Sequence, residues 1–173
     1  MSFIIYNIIR IIVLKGGRKV NKKAEAFPRI LAYLIDLLIA WLPVFIPVIG
    51  ALFGSLYLLF KDALMYRITG REEWKNRSIG KKLLDLEVVN LDGEIVDLTV
   101  SAKRNLPLTI GNFIAVVPFV GWVIGPATAF VLTVVELIMV LSNEDGRRLG
   151  DLWADTKVVK VVEVELEEDI VPK

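Results

Sequence analysis

Residues 105–142 read NLPLTIGNFIAVVPFVGWVIGPATAFVLTVVELIMVLS, and only Glu136 among them is charged. A second such stretch precedes it: from Ile30 to Phe60 the only charge is Asp36. One crossing of a ~30 Å hydrocarbon layer takes roughly 20 helical residues. The later stretch is therefore long enough for two crossings. The earlier one reaches the same length if it runs past Lys61 and Asp62 to Ile68. Each breaks near its middle, at Pro43, Pro47 and Gly50 in the first and at Pro118, Gly121, Gly125 and Pro126 in the second. Pro and Gly end or kink helices. The spacing thus predicts two helical hairpins, with spans about 28–46, 49–68, 105–120 and 124–142. Trp41 and Trp122 fall near the turns, where amphipathic rings favour the membrane interface.

One long kinked helix per stretch is the alternative, and the charges argue against it. Six basic residues lie in 15–29, nine in 61–104 and five after 142. Hairpins put all three groups on one side, as the positive-inside rule asks. The expected protein is a multi-pass cell-membrane protein with both termini and the 69–104 loop cytoplasmic.

Composition agrees. Of 173 residues, 55% are hydrophobic, and the mean hydropathy is +0.59. A soluble domain of this size has too little apolar residue on average to match that figure. An ordinary cytosolic globule, a disordered chain and a coiled coil are excluded, and the class is an integral membrane protein of one domain. The net charge of +1 offers no field to draw in nucleic acid. There is no Cys and no His, so disulfides, thiolate nucleophiles and the commonest metal ligand are missing. No serine has a neighbouring base at nucleophile spacing. Arg77-Ser78-Ile79-Gly80-Lys81-Lys82 echoes a phosphate loop but lacks its first Gly and its preceding strand. No enzyme, cofactor or metal is expected.

The water-exposed parts are short. Residues 1–14 (MSFIIYNIIRIIVL) are too short to span and, with the basic run to Lys23, read as a membrane-surface helix with an anionic-lipid contact. Asp92-Gly93, flanked by alternating β-branched residues over 86–100, signals a hairpin. Residues 156–166 read as a third strand, giving a small cytoplasmic β element, and 161–173 forms an acidic tail. An offset of 75 residues aligns Arg29 with Arg104 and Pro43 with Pro118, matching nine of 22 positions across 29–50. Either the hairpins are a parallel internal repeat or they share only membrane grammar.

A carboxylate inside a span costs roughly 2.5–3.5 kcal/mol on insertion scales and persists when paired, hydrated or useful. Asp36, Asp62, Asn112 and Glu136 all fall in the cytoplasmic half of their spans. One shared polar cavity would account for them. So would structural pairing, for instance of Glu136 with Lys61, while Arg29 and Arg104 snorkel to the headgroups.

Four motifs occur in order. They are Phe27-Pro28-Arg29-Ile30-Leu31-Ala32-Tyr33-Leu34-Ile35-Asp36, then Arg77 to Val89 with Asp92-Gly93 beyond, then Arg104-Asn105-Leu106, then Arg147-Arg148-Leu149-Gly150-Asp151-Leu152-Trp153-Ala154-Asp155 running to Val159. Over about 24–160 the chain resembles the RDD family of membrane proteins. The resemblance implies that Arg29, Asp36 and Asp151 are the signature residues. Asp62, Arg104, Asn112 and Glu136 are the further cavity candidates. Asn76 and Asp155 stand where that family often has Gly, and Ile79 where Pro is common. The resemblance implies an all-α membrane fold, here a four-helix transmembrane bundle of two hairpins with the small β element. It also implies transport or exchange of a small ligand or cation, sodium or proton, through the polar cavity. The expected partners are the lipid bilayer, such a ligand and further copies of the chain in a homo-oligomer. A non-transporting scaffold acting through the loop and strands is the alternative. Asp151, after the last span, is expected to pair with Arg29 or Arg104, with Gly150 allowing a close approach.

Overall fold

The computed structural model describes residues 18–45 and 49–164. The expected surface helix over 1–14 and the end of the acidic tail lie outside the described residues. In chain order the elements are β1 (Arg18–Lys23), α1 (Ala26–Trp41), a 3-10 turn (Leu42–Phe45), α2 (Ile49–Thr69), a second short turn (Glu72–Trp74), α3 (Ile79–Leu83), β2 (Leu86–Asn90), α4 (Leu98–Ala115), α5 (Val120–Ser142), α6 (Leu149–Trp153) and β3 (Thr156–Val164). The fold is mostly helical, with one antiparallel sheet in the order β1-β3-β2.

Helix ends follow local chemistry. α1 stops at Trp41 rather than near 46, because Pro43 cannot continue it. α4 starts at Leu98, seven residues before the expected 105. There the Asp97 side chain accepts the Val100 N–H at 2.7 Å, a standard N-cap. That cap also cancels the expected hairpin. The chain turns at Gly93 (φ 78°), but Val96 then donates to Asn76 Oδ1 at 2.8 Å and helix follows at once. The third strand comes instead from Arg18–Lys23, inside the basic run. The second hairpin turns at 116–119 with Phe119 at φ 63°, a few residues before the expected break between 120 and 124, and Pro126 lies within α5.

Two helices, α2 and α5, are long and apolar enough to cross a membrane by length and composition. The other two fall short of that measure. α1 has 16 residues, about 24 Å, and the first half of α4 buries Ser101, Arg104 and Asn105. Polarity is inverted relative to a water-soluble protein. α5 buries only Gly121, Gly125 and Glu136 and turns Val123, Phe130, Val131 and Ile138 outward. Among the described residues the fully buried side chains include Asp36, Asp62, Arg104 and Asp151, and a small apolar cluster joins Ala24, Ala32, Leu86 and Val158 with Leu84 against it. Apolar surface on this scale marks contact with something other than water.

The two halves repeat one another around their loop helices. Arg77, Gly80, Asp85, Val88 and Val89 recur 70 residues later as Arg147, Gly150, Asp155, Val158 and Val159. Conformation repeats with sequence: Asn76 and Gly146 have φ of 57° and 63°, and Asp85 and Asp155 have 53° and 48°. This left-handed region favours Gly, which explains the residue type expected at positions 76 and 155. Each short helix seats its glycine on the first helix of its own half. A Cβ at Gly80 would overlap the carbonyl oxygen of Ala32, and one at Gly150 that of Arg104. In the second helix of each half, Gly50 and Gly54 correspond to Gly121 and Gly125, an offset of 71. The alignment at 75 is thus about one helical turn out of register. Val88 pairs directly with its own counterpart Val158 between antiparallel strands, so the pseudo-two-fold axis passes between them.

Gly150→Ala is expected to cost about 1–3 kcal/mol or more through forced separation of α4 and α6. Gly93→Asn, at an open position where Asn tolerates the left-handed backbone, is expected to change little. Thermal melting of the two purified variants checks the difference.

Candidate functional site

The helix ends nearest the sheet converge on a buried ionic network. In α1, Asp36 is fully buried and accepts from Ser78 Oγ at 2.7 Å, the Gly80 N–H at 2.8 Å and Tyr57 OH at 3.1 Å, with Lys61 Nζ at 3.0 Å. The Ser78 hydroxyl also accepts the Lys81 N–H and caps α3, so one side chain ties the loop helix to α1. In α2, Asp62 accepts from Lys81, from Arg104 at 2.9 Å and from Asn105 Nδ2 at 3.0 Å. In α6, Asp151 accepts from Arg104 at 2.6 Å and from Arg29 at 2.7 Å, with Arg148 Nε at a longer 3.4 Å. Arg104, with no exposed surface, therefore bridges Asp62 and Asp151 and joins α2, α4 and α6.

Asp151 meets both guanidiniums expected as its partners. The expected pairing of Glu136 with Lys61 does not form. Lys61 goes to Asp36 and lies 4.7 Å from the Tyr33 ring centroid, while Glu136 Oε1 accepts the Gly150 N–H at 3.2 Å. Arg148 donates to Asn105 Oδ1 at 2.8 Å. Arg29 also donates to the Gly146 carbonyl.

Beside the network, a cavity of about 690 Å³ runs between α1 and α5 with α2 and α4 behind it. This lies within the roughly 300–1,000 Å³ usual for small-molecule sites. Its charged wall consists of Arg29, Lys61, Lys81, Arg104, Arg148 and Glu136, and Asn112 lines it further along α4. Asp36, Asp62 and Asp151 are not part of that wall, although their cationic partners are. The candidate residues thus divide: Arg29, Arg104, Asn112 and Glu136 reach the cavity, and the three aspartates do not. Sequence reading missed Ser78, Tyr57 and Asn105. The 70-residue repeat could have found Ser78, which occupies the same place before its glycine as Arg148.

Outside the long helices, the acidities of Asp151 and Lys81 are displaced. Burial alone would raise the Asp151 carboxyl, but Arg104, Arg148 and Arg29 outweigh it and hold it well below the usual carboxylate range. Burial foremost pushes the Lys81 ammonium down to about 7. Asp62 pulls against this, while Lys61 and Arg104 add to it. Among the described residues, no cluster of three or more Asp, Glu, His or Cys could hold a metal.

The model of the RDD family matches residues 23–155, more than half of the chain, and the chain belongs to this family of membrane-associated proteins. No curated protein and no solved structure matches it.

Asp151→Asn strips three guanidiniums of a shared charge. Breaking a buried pair costs about 3–5 kcal/mol, so melting is expected to fall by on the order of 10 °C. For Lys81, an unfolded lysine keeps its proton to about 10.4 while the folded one releases it near 7. The unfolded state therefore holds more protons between these values, and stability rises with pH across that window. The wild type is expected to gain melting temperature over Lys81→Met as pH goes from 7 to 9.5, and a decline would contradict the assignment.

Proposed function

We propose that this RDD-family protein is a multi-pass membrane protein whose four long helices form two transmembrane hairpins. Both ends and the 69–104 loop are cytoplasmic, and the cavity between α1 and α5 receives a small ligand for transport or exchange. The reading includes no enzymatic step. It is carried by one observation: a cavity of about 690 Å³ flanked by outward-facing apolar helices and lined at one end by charged side chains. Apolar walls with a few convergent polar groups are what ligand sites share.

Charge decides between cargo classes. The aspartates are already saturated, and five cations face the cavity against the single carboxylate of Glu136. Such a wall raises the local concentration of anions over cations. A small anion or an acidic molecule therefore fits better than sodium. The proton version of the reading would run through Glu136, whose Oε2 has no protein partner. The rival role, a scaffold acting through the loop and sheet, draws support from the same saturation: Asp36, Asp62 and Asp151 serve the fold and leave no free carboxylate of their own.

The chain has no cysteine, so introduced ones report alone. Asp92→Cys and Asn143→Cys are expected to label from one face of the membrane and Phe119→Cys from the other. Thr133→Cys, on the cavity wall, is expected to react about tenfold faster with an anionic methanethiosulfonate than with a cationic one of similar size. Preference for the cationic reagent sinks the anion reading, and a Thr133→Cys thiol that reacts with neither reagent favours the scaffold.

A further inference from the structure

Three features of the cavity remain unused by the network. The first is charge. Arg29, Lys61, Lys81, Arg104 and Arg148 face four carboxylates, Asp36, Asp62, Glu136 and Asp151, so the cluster carries one net positive charge while Lys81, which releases its proton near 7, is protonated, and an anion beside it holds that proton in place. Uncompensated charge away from water is costly, and an anion in the cavity relieves it. The second is a pair of orphaned atoms. Arg104 Nε and Glu136 Oε2 are buried without partners, one a donor and one an acceptor, on residues that both line the cavity. Buried polar groups in native proteins are nearly always satisfied. A ligand that matches both brings an anionic oxygen and a hydroxyl.

The third feature is shape. The cavity follows α1 from Arg29 to Trp41, twelve residues or about 18 Å. That exceeds the ~15 Å share of one leaflet in a ~30 Å core. Beyond the charged end its walls are apolar, with Leu34 and Leu37 on one side and Phe130 and Leu137 on the other. α1 and α5 are not packed on one another, whereas α2 and α4 are, so the groove opens sideways. Leu34 and Phe130 are exposed at its rim. A soluble anion would leave this apolar length empty. A zwitterionic lipid would leave the net positive charge uncompensated.

We propose that the groove between α1 and α5 holds one acyl chain of an anionic phospholipid with a hydroxylated head. Its phosphodiester lies against Arg29, Lys61 and Arg148 and accepts from Arg104 Nε, and a head-group O–H donates to Glu136 Oε2. The assignment rests on the reading of this cavity as a ligand site and names the ligand class. Entry is lateral, from the leaflet that contains the charged end, and breaks no ion pair.

The test uses the full chain, purified in detergent and exposed to equal amounts of phosphatidylglycerol, phosphatidylethanolamine and phosphatidylcholine with identical acyl chains. Native mass spectrometry is expected to find phosphatidylglycerol retained about tenfold over either zwitterion, and that preference lost in Thr133→Trp, which fills the groove. Cross-linking of wild-type protein to phosphatidylglycerol with a photoactivatable chain is expected to mark Leu34, Leu37, Phe130 or Leu137. Because it needs no variant, it also decides the matter if Thr133→Trp does not fold. Equal retention of the three lipids, or adducts only elsewhere, overturns the proposal. So does a dimer whose partner copy shields these positions. Competition by inorganic phosphate or glycerol phosphate as strong as by the lipid also overturns it, while leaving the cavity a site for a soluble anion. An unreactive thiol in the Thr133→Cys variant together with absent lipid retention removes both readings.

Discussion

The run of contacts Arg29–Asp151–Arg104–Asp62–Lys81 is what the rest of the molecule depends on. Each link joins a different element, and each charge meets an opposite one within hydrogen-bond reach. In water such a cluster would have to overcome a large desolvation cost. Between helices whose outer surfaces are leucine, isoleucine, valine and phenylalanine, the comparison changes. An unpaired charge there has no solvent to fall back on, so pairing becomes obligatory. The same logic explains why the apolar core is small. Apolar side chains gain little by hiding from lipid, and what packs inside is small residues and matched charge.

The glycines make that network reachable. Gly80 and Gly150 bring the loop helices α3 and α6 against the backbones of α1 and α4. Only at that distance can Ser78 and the Gly80 N–H meet Asp36, and Asp151 meet Arg104. The left-handed residues at each end of the two loop helices set their entry and exit. Local backbone geometry, interhelix packing and electrostatics therefore agree, as expected of a sequence with one preferred structure.

Much of this was legible in the sequence. The two charge deserts point to the apolar helices, the ordered motifs to the family, and the last motif to a pairing of Asp151 with Arg29 or Arg104, of which the structure makes both. What failed did so for identifiable reasons. Asp97 looked like part of a strand, but its carboxylate capped a helix instead. The hairpin turn expected between 120 and 124 lies instead at 116–119, where Phe119 takes the left-handed conformation. Most instructive is the place of the aspartates, for which the sequence leaves open a shared polar cavity or structural pairing. Sequence shows that Asp36 and Asp62 are embedded in apolar stretches, but not that Lys61 and Lys81 reach them first. The carboxylates became internal counter-ions, and the residual charge of the cavity changed sign. Which of several nearby cations each carboxylate takes depends on helix rotation, and periodicity does not fix that.

The internal duplication has a consequence for where chemistry can occur. A two-fold relation between the halves makes the α2–α4 boundary equivalent to the α5–α1 boundary, yet the first is shut and the second gapes. The residues say why. Asp62, Arg104 and Asn105 seal the first boundary. Gly80 on Ala32 and Gly150 on Arg104 relate the first helices by 72 residues, and the glycines relate the second helices by 71, so the counterparts of those three residues at the second boundary are Thr133, Ala32 and Tyr33, which include neither a carboxylate nor a guanidinium. A strict repeat would have two like seams. Here one is welded by ions and the other left unwelded, so a scaffold of twinned parts offers a single doorway.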